Sequence, residues 1–571
     1  MSGERGILGV RKDPKNQLLF MFKVREGEEW PSSDSGDSDY SPEQDSRTVA
    51  DHSDDSEDES TTKSSPKQSS RRQNSNNSAR PTRKPSRKRT LKQKDSKTKT
   101  KRQKRSNTNH TASSSKTSSQ RQEASETRHL NGESSVIVLS NATVPHLPPE
   151  LWLKIFKYYV DAEGPLPFLC RAAKGCRCWA ELAAHPSLWQ KVDLSYGWLK
   201  STDDTLKWLA HNRLSQCREV SVSGWKNLTN DAFKVLCEKC PQLEVVNLSH
   251  CGKLTSIAVS ALVSNRLKLR ELDLSFMPAD AVSAQSLKQV ATKCGAALTS
   301  LVLAGNSLVG FNLVLNAIMD NCPNLETLDL CNCRFSTDFL ILNVERLQAS
   351  CPSLRILRLA NCKVRPNQVS QNVQAQATGF VNLHQLSCAM PVSDSPTIGN
   401  GVPDNLLARL LHKAERIQLL DLRGCTNFNP DTLLAAPALN VEQLYLSQSS
   451  VSRYSATLRP LLMMWRHSLK VLDLAWTSPA EDHMYAAIKT LTDLPPCPVT
   501  QLNLAGTTVT LPAVRLALDG LKHLESLDLT SCRSLPRGIK CLHTGVPALR
   551  KLNTSLPKLE GSGESSDTDS Y

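Results

Sequence analysis

The stretch Cys322–Cys333, CPNLETLDLCNC, sets three cysteines around Leu325, Leu328 and Leu330. Three thiols in twelve residues suggest a metal or redox cluster, but the leucine spacing supports a different reading. In L-x-x-L-x-L the last two leucines alternate with a polar residue, which is what a strand with one buried face requires. The fold is decided by whether that spacing recurs.

It does. Clear copies begin at Leu243, Leu269, Leu298, Leu354, Ile417, Val441, Leu469, Val499 and Leu524, and weaker ones at Cys217, Leu383 and Leu549. Successive starts from Leu243 to Leu354 are 26, 29, 27 and 29 residues apart. Between copies lie helical patterns such as TNDAFKVLCEKC (229–240) and FNLVLNAIMDNC (311–322). One strand and one helix cannot close a core alone, whereas stacked copies bury each apolar face against the next. The pattern predicts an α/β solenoid, a leucine-rich-repeat horseshoe with parallel strands inside and helices outside, over residues 196–555.

The cysteines then acquire a place. Cys251, Cys333, Cys362, Cys425 and Cys532 each follow the strand's last apolar residue by three, and Cys240, Cys294, Cys322 and Cys351 precede the next copy by three or four. Recurrence once per repeat marks packing by a small, soft side chain. A zinc site needs four converging ligands, and Cys237-Glu-Lys-Cys240 is a lone pair. Neither metal nor cofactor is expected. The residue between the last two apolar positions of each copy should face the concave side, where a protein substrate would lie. These residues include Asn247, Asp273, Asp329, Arg358, Asp421, Tyr445, Asp473 and Asp528. The long interval from Leu383 to Ile417 contains MPVSDSPTIGNGVPDN (390–405), which reads as a projecting loop.

The N-terminal 140 residues differ in kind. Residues 31–60 carry 11 Asp/Glu against one Arg, and residues 71–105 carry 16 Lys/Arg against one Asp. That basic block alone accounts for the chain's net charge of +14. Dense charge with few apolar residues predicts a disordered tail over 1–140, and a short acidic tail is expected over 556–571. Within the basic block, Arg87, Lys88, Arg89, Lys101, Arg102, Lys104 and Arg105 form runs of the nuclear-import kind. The expected address is nuclear, with residence in the cytoplasm compatible with it. No Phe, Trp or Tyr lies between Ser41 and Leu151, so stacking on single-stranded nucleic acid is not expected and phosphate contacts would rest on charge alone. The start MSGERGILGV lacks a leader pattern and no run of eighteen apolar residues occurs, so an intracellular protein without membrane association is expected. No phosphate-binding loop, nucleophile elbow or zinc-protease motif is present, which argues against an enzyme.

Between tail and repeats, residues 141–195 read as a short helical domain. Pro148 and Pro149 suit a helix start. The helix after them is apolar on two stripes, Leu151, Ile155 and Tyr158 on one and Trp152, Phe156 and Tyr159 on the other. About fifty residues cannot bury both stripes internally, so one must meet the repeats or a partner. The segment resembles an F-box, whose pattern is Leu-Pro-x-Glu-Leu, Ile-Phe, Cys-x-x-Trp and Pro-x-Leu-Trp. Leu147, Pro148, Glu150, Leu151, Ile155, Phe156, Cys176, Trp179, Leu182, Pro186, Leu188 and Trp189 match it. With the cysteine-containing repeats, the chain is similar to the F-box and leucine-rich-repeat proteins. Two positions depart from the pattern: Gly175 stands where Val is usual, and Cys178 replaces a basic residue. The resemblance implies a non-catalytic substrate-recruiting subunit of a Skp–cullin–F-box ubiquitin ligase. It further implies that Leu147, Pro148, Leu151, Ile155, Phe156 and Trp179 meet the Skp adaptor and, through it, cullin. The alternative is a ligase-independent repeat scaffold whose basic tail touches nucleic acid or chromatin.

Overall fold

All copies of the leucine pattern but the last fold in the same way. In the copy from Leu243, the residues Leu243, Val246 and Leu248 all turn inward and are buried. The three-residue strand Val245–Asn247 is centred on the middle one. The computed structural model describes residues 147–264, 268–337, 339–391, 401–493, 495 and 497–556, and the described residues fall within one compact unit. The acidic and basic blocks, the import runs and the acidic C-terminal segment lie outside the described residues, as does most of the loop expected over 390–405.

The strands stack in sequence order into a 14-stranded sheet, beginning at Lys191–Asp193 and ending at Leu542–Thr544. Every neighbouring pair up to Ser526–Asp528 is parallel and in the same register. Two short two-stranded parallel sheets flank it: Ser307–Leu308 with Arg334–Phe335, and Leu340–Leu342 with Val364–Pro366. Helices cover the outside. Asn230–Lys239 is capped by Thr229, whose hydroxyl accepts from Ala232 N, and it buries Phe233, Leu236 and Cys237. Phe311–Asn321 covers a later repeat, burying Val314, Leu315 and Ile318.

Three local devices recur at the strand ends, and all follow from residue type. First, the strand's last side chain accepts from the backbone N–H two residues on: Asn247 from Ser249 at 2.9 Å, Asp273 from Ser275 at 2.8 Å, Asp329 from Cys331 at 2.9 Å. This is an Asx turn, which Asn and Asp make because their short polar side chain reaches that N–H. Second, the residue after that turn is left-handed. Gly305, Gly424 and Gly506 fill the position without cost, while His250, Asn332, Asn361 and Gln448 hold φ between 55° and 59°. Third, the recurring cysteine donates its thiol to a carbonyl of the preceding repeat. Cys251 donates to Val222 O at 3.3 Å, Cys333 to Leu303 O at 3.1 Å, Cys362 to Leu330 O at 2.8 Å, and Cys532 to Leu504 O at 3.1 Å. The cysteine is a packing element that also satisfies a buried carbonyl.

The structure departs from the sequence reading at both ends. Lys191–Asp193, inside the segment assigned to the F-box, is the first strand of the sheet, and Leu194 N donates to Ser221 O at 2.8 Å. At the other end the copy expected from Leu549 is helical. Leu542–Thr544 closes the sheet antiparallel to Ser526–Asp528, and Val546–Ser555 follows as a helix. Pro547 sits in that helix's first turn, where a missing N–H does no harm, and Leu549 and Leu552 face inward at helical spacing.

Candidate adaptor and substrate surfaces

Helix α1 (Pro149–Glu163) opens on a proline, as its sequence suggested, and it carries the two apolar stripes to opposite fates. One stripe builds the domain. Trp152 meets Trp179 edge-on at 5.2 Å, and Phe156 meets Phe168 at 5.1 Å and Trp179 at 5.8 Å. Tyr159 packs on Phe168 at 4.2 Å. The partner rings come from the start of α2 and from within α3: Phe168 begins α2 (Phe168–Ala172) and Trp179 lies in α3 (Arg177–Ala183). The other stripe is left outside: Leu151 is 41% exposed, Ile155 48% and Tyr158 82%. Large apolar side chains left exposed in register on one helix face form a surface suited to a partner.

This sorts the six residues that the resemblance assigned to the adaptor. Leu151 and Ile155 are exposed, and Pro148 lies exposed beside them with Leu147 half-buried. Phe156 is 2% exposed and belongs to the core, because its ring is enclosed by Phe168 and Trp179. It cannot touch a partner unless the domain opens. Trp179 is half-buried in the same cluster. Gly175 has a local reason: a Cβ there would stand 3.0 Å from the Trp179 ring and 3.3 Å from Ala172 O, so the bulkier Val would displace the tryptophan. Cys178 is exposed, while Cys176 caps α3 by accepting from Trp179 N.

The short 3-10 turn Pro186–Trp189 joins this domain to the repeats. Trp189 is buried and donates to Ala183 O at 2.8 Å, and Trp225 of the next repeat donates to Leu194 O at 3.0 Å. The F-box helices and the first strands therefore share one core.

On the concave sheet the eight residues expected to face a substrate lie on one line, since Asn247, Asp273, Asp329, Arg358, Asp421, Tyr445, Asp473 and Asp528 all occupy the third position of aligned strands. Their electrostatics are less open than the sequence suggests. Every aspartate spends one oxygen on its own Asx turn. Arg358 reaches Asp329 at 3.4 Å and Gln385 at 2.9 Å. Arg423 grips Asp421 through both carboxylate oxygens, at 2.9 and 2.8 Å, and its guanidinium lies 5.0 Å from the Tyr445 ring centre. Ser387 also donates to Asp421 at 3.0 Å. At Asp473 burial pushes the carboxyl above the usual carboxylate range, opposed by the Ala475 N–H, by the charge of Arg423 and by a hydrogen bond from the Ser447 side chain.

The sequence reading missed two residues. At the left-handed position where other repeats carry Gly, Asn or Gln, Phe276 and Trp476 stand with φ of 53° and 56° and remain 48% and 52% exposed. Each ring lies over the glycine of the following repeat, Gly305 or Gly506, where a Cβ would come within 2.3–2.4 Å of the ring. His250 stacks on Phe276 at 4.7 Å. A bulky side chain in this backbone region is unfavourable. The signal was available: both follow the strand's third residue by three, the position that Gly305, Gly424 and Gly506 hold in their repeats.

The cysteines of the opening stretch are buried or half-buried, and burial pushes the Cys322 thiol up to about 12. Among the described residues no group of three or more His, Cys, Asp or Glu side chains could hold a metal, and no helix is long and apolar enough to cross a membrane.

Comparison with known proteins agrees with this architecture. The F-box-like family model matches residues 144–195, and the Leucine Rich Repeat model matches 324–346. F-box protein SKIP19 of Arabidopsis thaliana is 30% identical over 217 residues, which cover 33% of this chain and 68% of that protein. The chain belongs to the F-box and leucine-rich-repeat family. A second relative of this F-box/leucine-rich-repeat chain, the Putative F-box/LRR-repeat protein 23 of the same plant, is 25% identical over 210 residues, 30% of this chain and 44% of its own length. Among solved structures, the yeast Rad7 and Elc1 complex is similar at a TM-score of 0.38 and 16% identity, covering 68% of this chain and 91% of that one.

Proposed function

We propose that this chain is the substrate-recognition subunit of a Skp–cullin–F-box ubiquitin ligase. One observation carries the reading: α1 holds the domain together with one apolar stripe and leaves Leu151, Ile155 and Tyr158 exposed on the other. The Skp adaptor covers that stripe together with Leu147 and Pro148, and links the chain to cullin. The repeats hold a protein substrate on the concave face, using the third-position line and the aromatic edge formed by Phe276 and Trp476. The chain performs no covalent chemistry. It raises the effective concentration of a substrate lysine at a thioester carried by another subunit. The basic block serves as an import signal, through Arg87, Lys88, Arg89, Lys101, Arg102, Lys104 and Arg105.

The test is co-purification of the adaptor with the Leu151→Asp, Ile155→Asp double variant. Each change places an unpaired charge in a contact that must be desolvated, at a cost of several kcal/mol. Adaptor recovery should vanish while the melting curve stays near the parent's, because both positions are exposed in the free chain. Undiminished recovery from the folded double variant would refute the assignment and favour a scaffold that works without a ligase.

A further inference from the structure

The left-handed corners form a second line beside the third-position residues. Gly224, His250, Phe276 and Gly305 hold this corner in four successive repeats, with φ between 53° and 78°. Hydrogen bonds keep them in step: Gly224 N donates to Ser249 O at 2.8 Å, His250 N to Ser275 O at 2.9 Å and Phe276 N to Ala304 O at 2.8 Å. Each corner therefore lies one strand spacing, about 4.8 Å, from the next. The rings lean toward the following repeat. Phe276 lies over Gly305, and His250 stacks on Phe276 with centroids 4.7 Å apart and planes 8° from parallel.

This stack is closed at one end only. Gly305 is covered, since a Cβ there would stand 2.3 Å from the Phe276 ring, and Trp476 covers Gly506 in the same way at 2.4 Å. At Gly224 a Cβ would meet no atom within 4 Å, and both Gly224 and His250 are exposed. Phe276 takes the face of the imidazole that looks toward the later repeats, so the opposite face looks toward Gly224. That face and the bare glycine bound an open seat beside the stack. The loops that carry it, 222–228 and 248–254, contain Lys226 and Lys253 but no Asp or Glu. A guanidinium would meet like charge there, whereas the electron-rich face of an aromatic ring attracts a cation beside it.

We propose that this seat takes one aromatic side chain of the polypeptide bound on the concave face, which extends the stack by one ring beyond His250. The chain itself shows what fits, because Phe276 and Trp476 are the groups that cover Gly305 and Gly506. Stacked rings attract one another beyond the area they bury. The seat rests on the reading of the concave face as the substrate surface, and it makes that reading specific. Recognition at the F-box end of the sheet turns on a Phe, Tyr or Trp of the substrate rather than on a charged residue.

Saturation-transfer NMR on the full chain tests the seat with three acetylated and amidated peptides, Gly-Gly-X-Gly-Gly, where X is Trp, Leu or Arg. Transfer to the Trp peptide should exceed transfer to the Leu peptide roughly three- to tenfold, the range of one aromatic pair. It should fall to the Leu level in Gly224→Asn, which fills the seat, and in His250→Gln, which removes the ring. Both variants keep the corner, since Asn332, Asn361 and Gln448 hold it elsewhere with φ of 55–59°. If Gly224→Asn fails to fold, His250→Gln still decides the question. Trp476→Gln should leave the signal unchanged. A Trp signal that survives His250→Gln overturns the proposal, as does an equal response to Leu or a stronger one to Arg. The measurement needs no adaptor, so it fails or succeeds apart from the ligase reading. A Trp signal lost in both variants, alongside full adaptor recovery from the Leu151→Asp, Ile155→Asp double variant, would refute the ligase and leave the seat standing.

Discussion

Asp473 shows what one position costs and what it offers. It occupies the Asx-turn site that Asn503 and Asn247 fill in other repeats, and its Oδ1 accepts from Ala475 N at 3.0 Å just as theirs accept from Ala505 and Ser249. Asparagine therefore keeps the turn and discards a buried charge. Because burial raises the folded-state pKa, the native state holds this proton more tightly than the unfolded state does. The aspartate chain thus gains stability as pH falls through the carboxylate range and forgoes it at neutral pH. Asp473→Asn should raise Tm at pH 7 by roughly 1–2 °C, on the scale of a sub-kcal/mol change in a domain this large, with the gap closing at acid pH. A scan showing no pH dependence of the difference would contradict the burial argument. The thiols make a second residue-scale case. All 18 cysteines lie among the described residues, and only Cys176, Cys178 and Cys541 are exposed. Burial pushes Cys251 and Cys425 up to about 12, so their thiolate is scarce at neutral pH. Maleimide labelling of the native chain should reach those three quickly, and the rest only on unfolding. Fast labelling of Cys251 or Cys333 would show that the repeat corners are open.

At the scale of elements, α1 separates two roles that the sequence cannot tell apart. Leu151 and Phe156 are both apolar and both match the family pattern, but the rings that decide which stripe is enclosed come from Phe168 and Trp179 elsewhere in the chain. Phe156→Ala should cost about 3–5 kcal/mol of F-box stability through the cavity it leaves. Leu151→Ala should leave melting nearly unchanged while weakening adaptor recovery, and differential scanning calorimetry with a pull-down separates the two. The repeat strands, by contrast, were legible because each carries its own inward leucines within six residues and needs only identical neighbours. The terminal elements were not. Leu549 begins a pattern that looks like another copy, but Gly545, Pro547 and the spacing to Leu552 favour a helix once no further repeat is there to pair with it. The buried ion pair of Glu345 and Arg409 was equally invisible, since the two lie 64 residues apart and come together only in the folded chain. Hydrogen exchange should find that short helix the fastest of the helices from 344 to 410, because it buries no side chain. Protection equal to that of Val344–Ser350 would show that something covers it.

The whole molecule joins a folded F-box and solenoid to an N-terminal region of opposite charge blocks, and the two parts make separable predictions. The basic block carries 16 Lys/Arg within residues 71–105, far more than import needs and enough to hold phosphates by charge. Neutralising Arg87, Lys88 and Arg89 together with Lys101, Arg102, Lys104 and Arg105 should shift the protein toward the cytoplasm. Adaptor recovery should survive, because Leu151 and Ile155 are exposed on α1, outside the altered block. Loss of adaptor binding in that variant would mean that the tail contributes to the interface. If the block instead serves nucleic acid, removing it abolishes a salt-sensitive affinity of the purified chain. The log–log slope of that affinity is about −0.9 for each phosphate neutralised on duplex DNA. Imaging and a salt titration on the same two proteins therefore distinguish import from phosphate binding. A change in localisation with no salt-dependent affinity establishes import, and affinity lost with localisation intact establishes the nucleic-acid role.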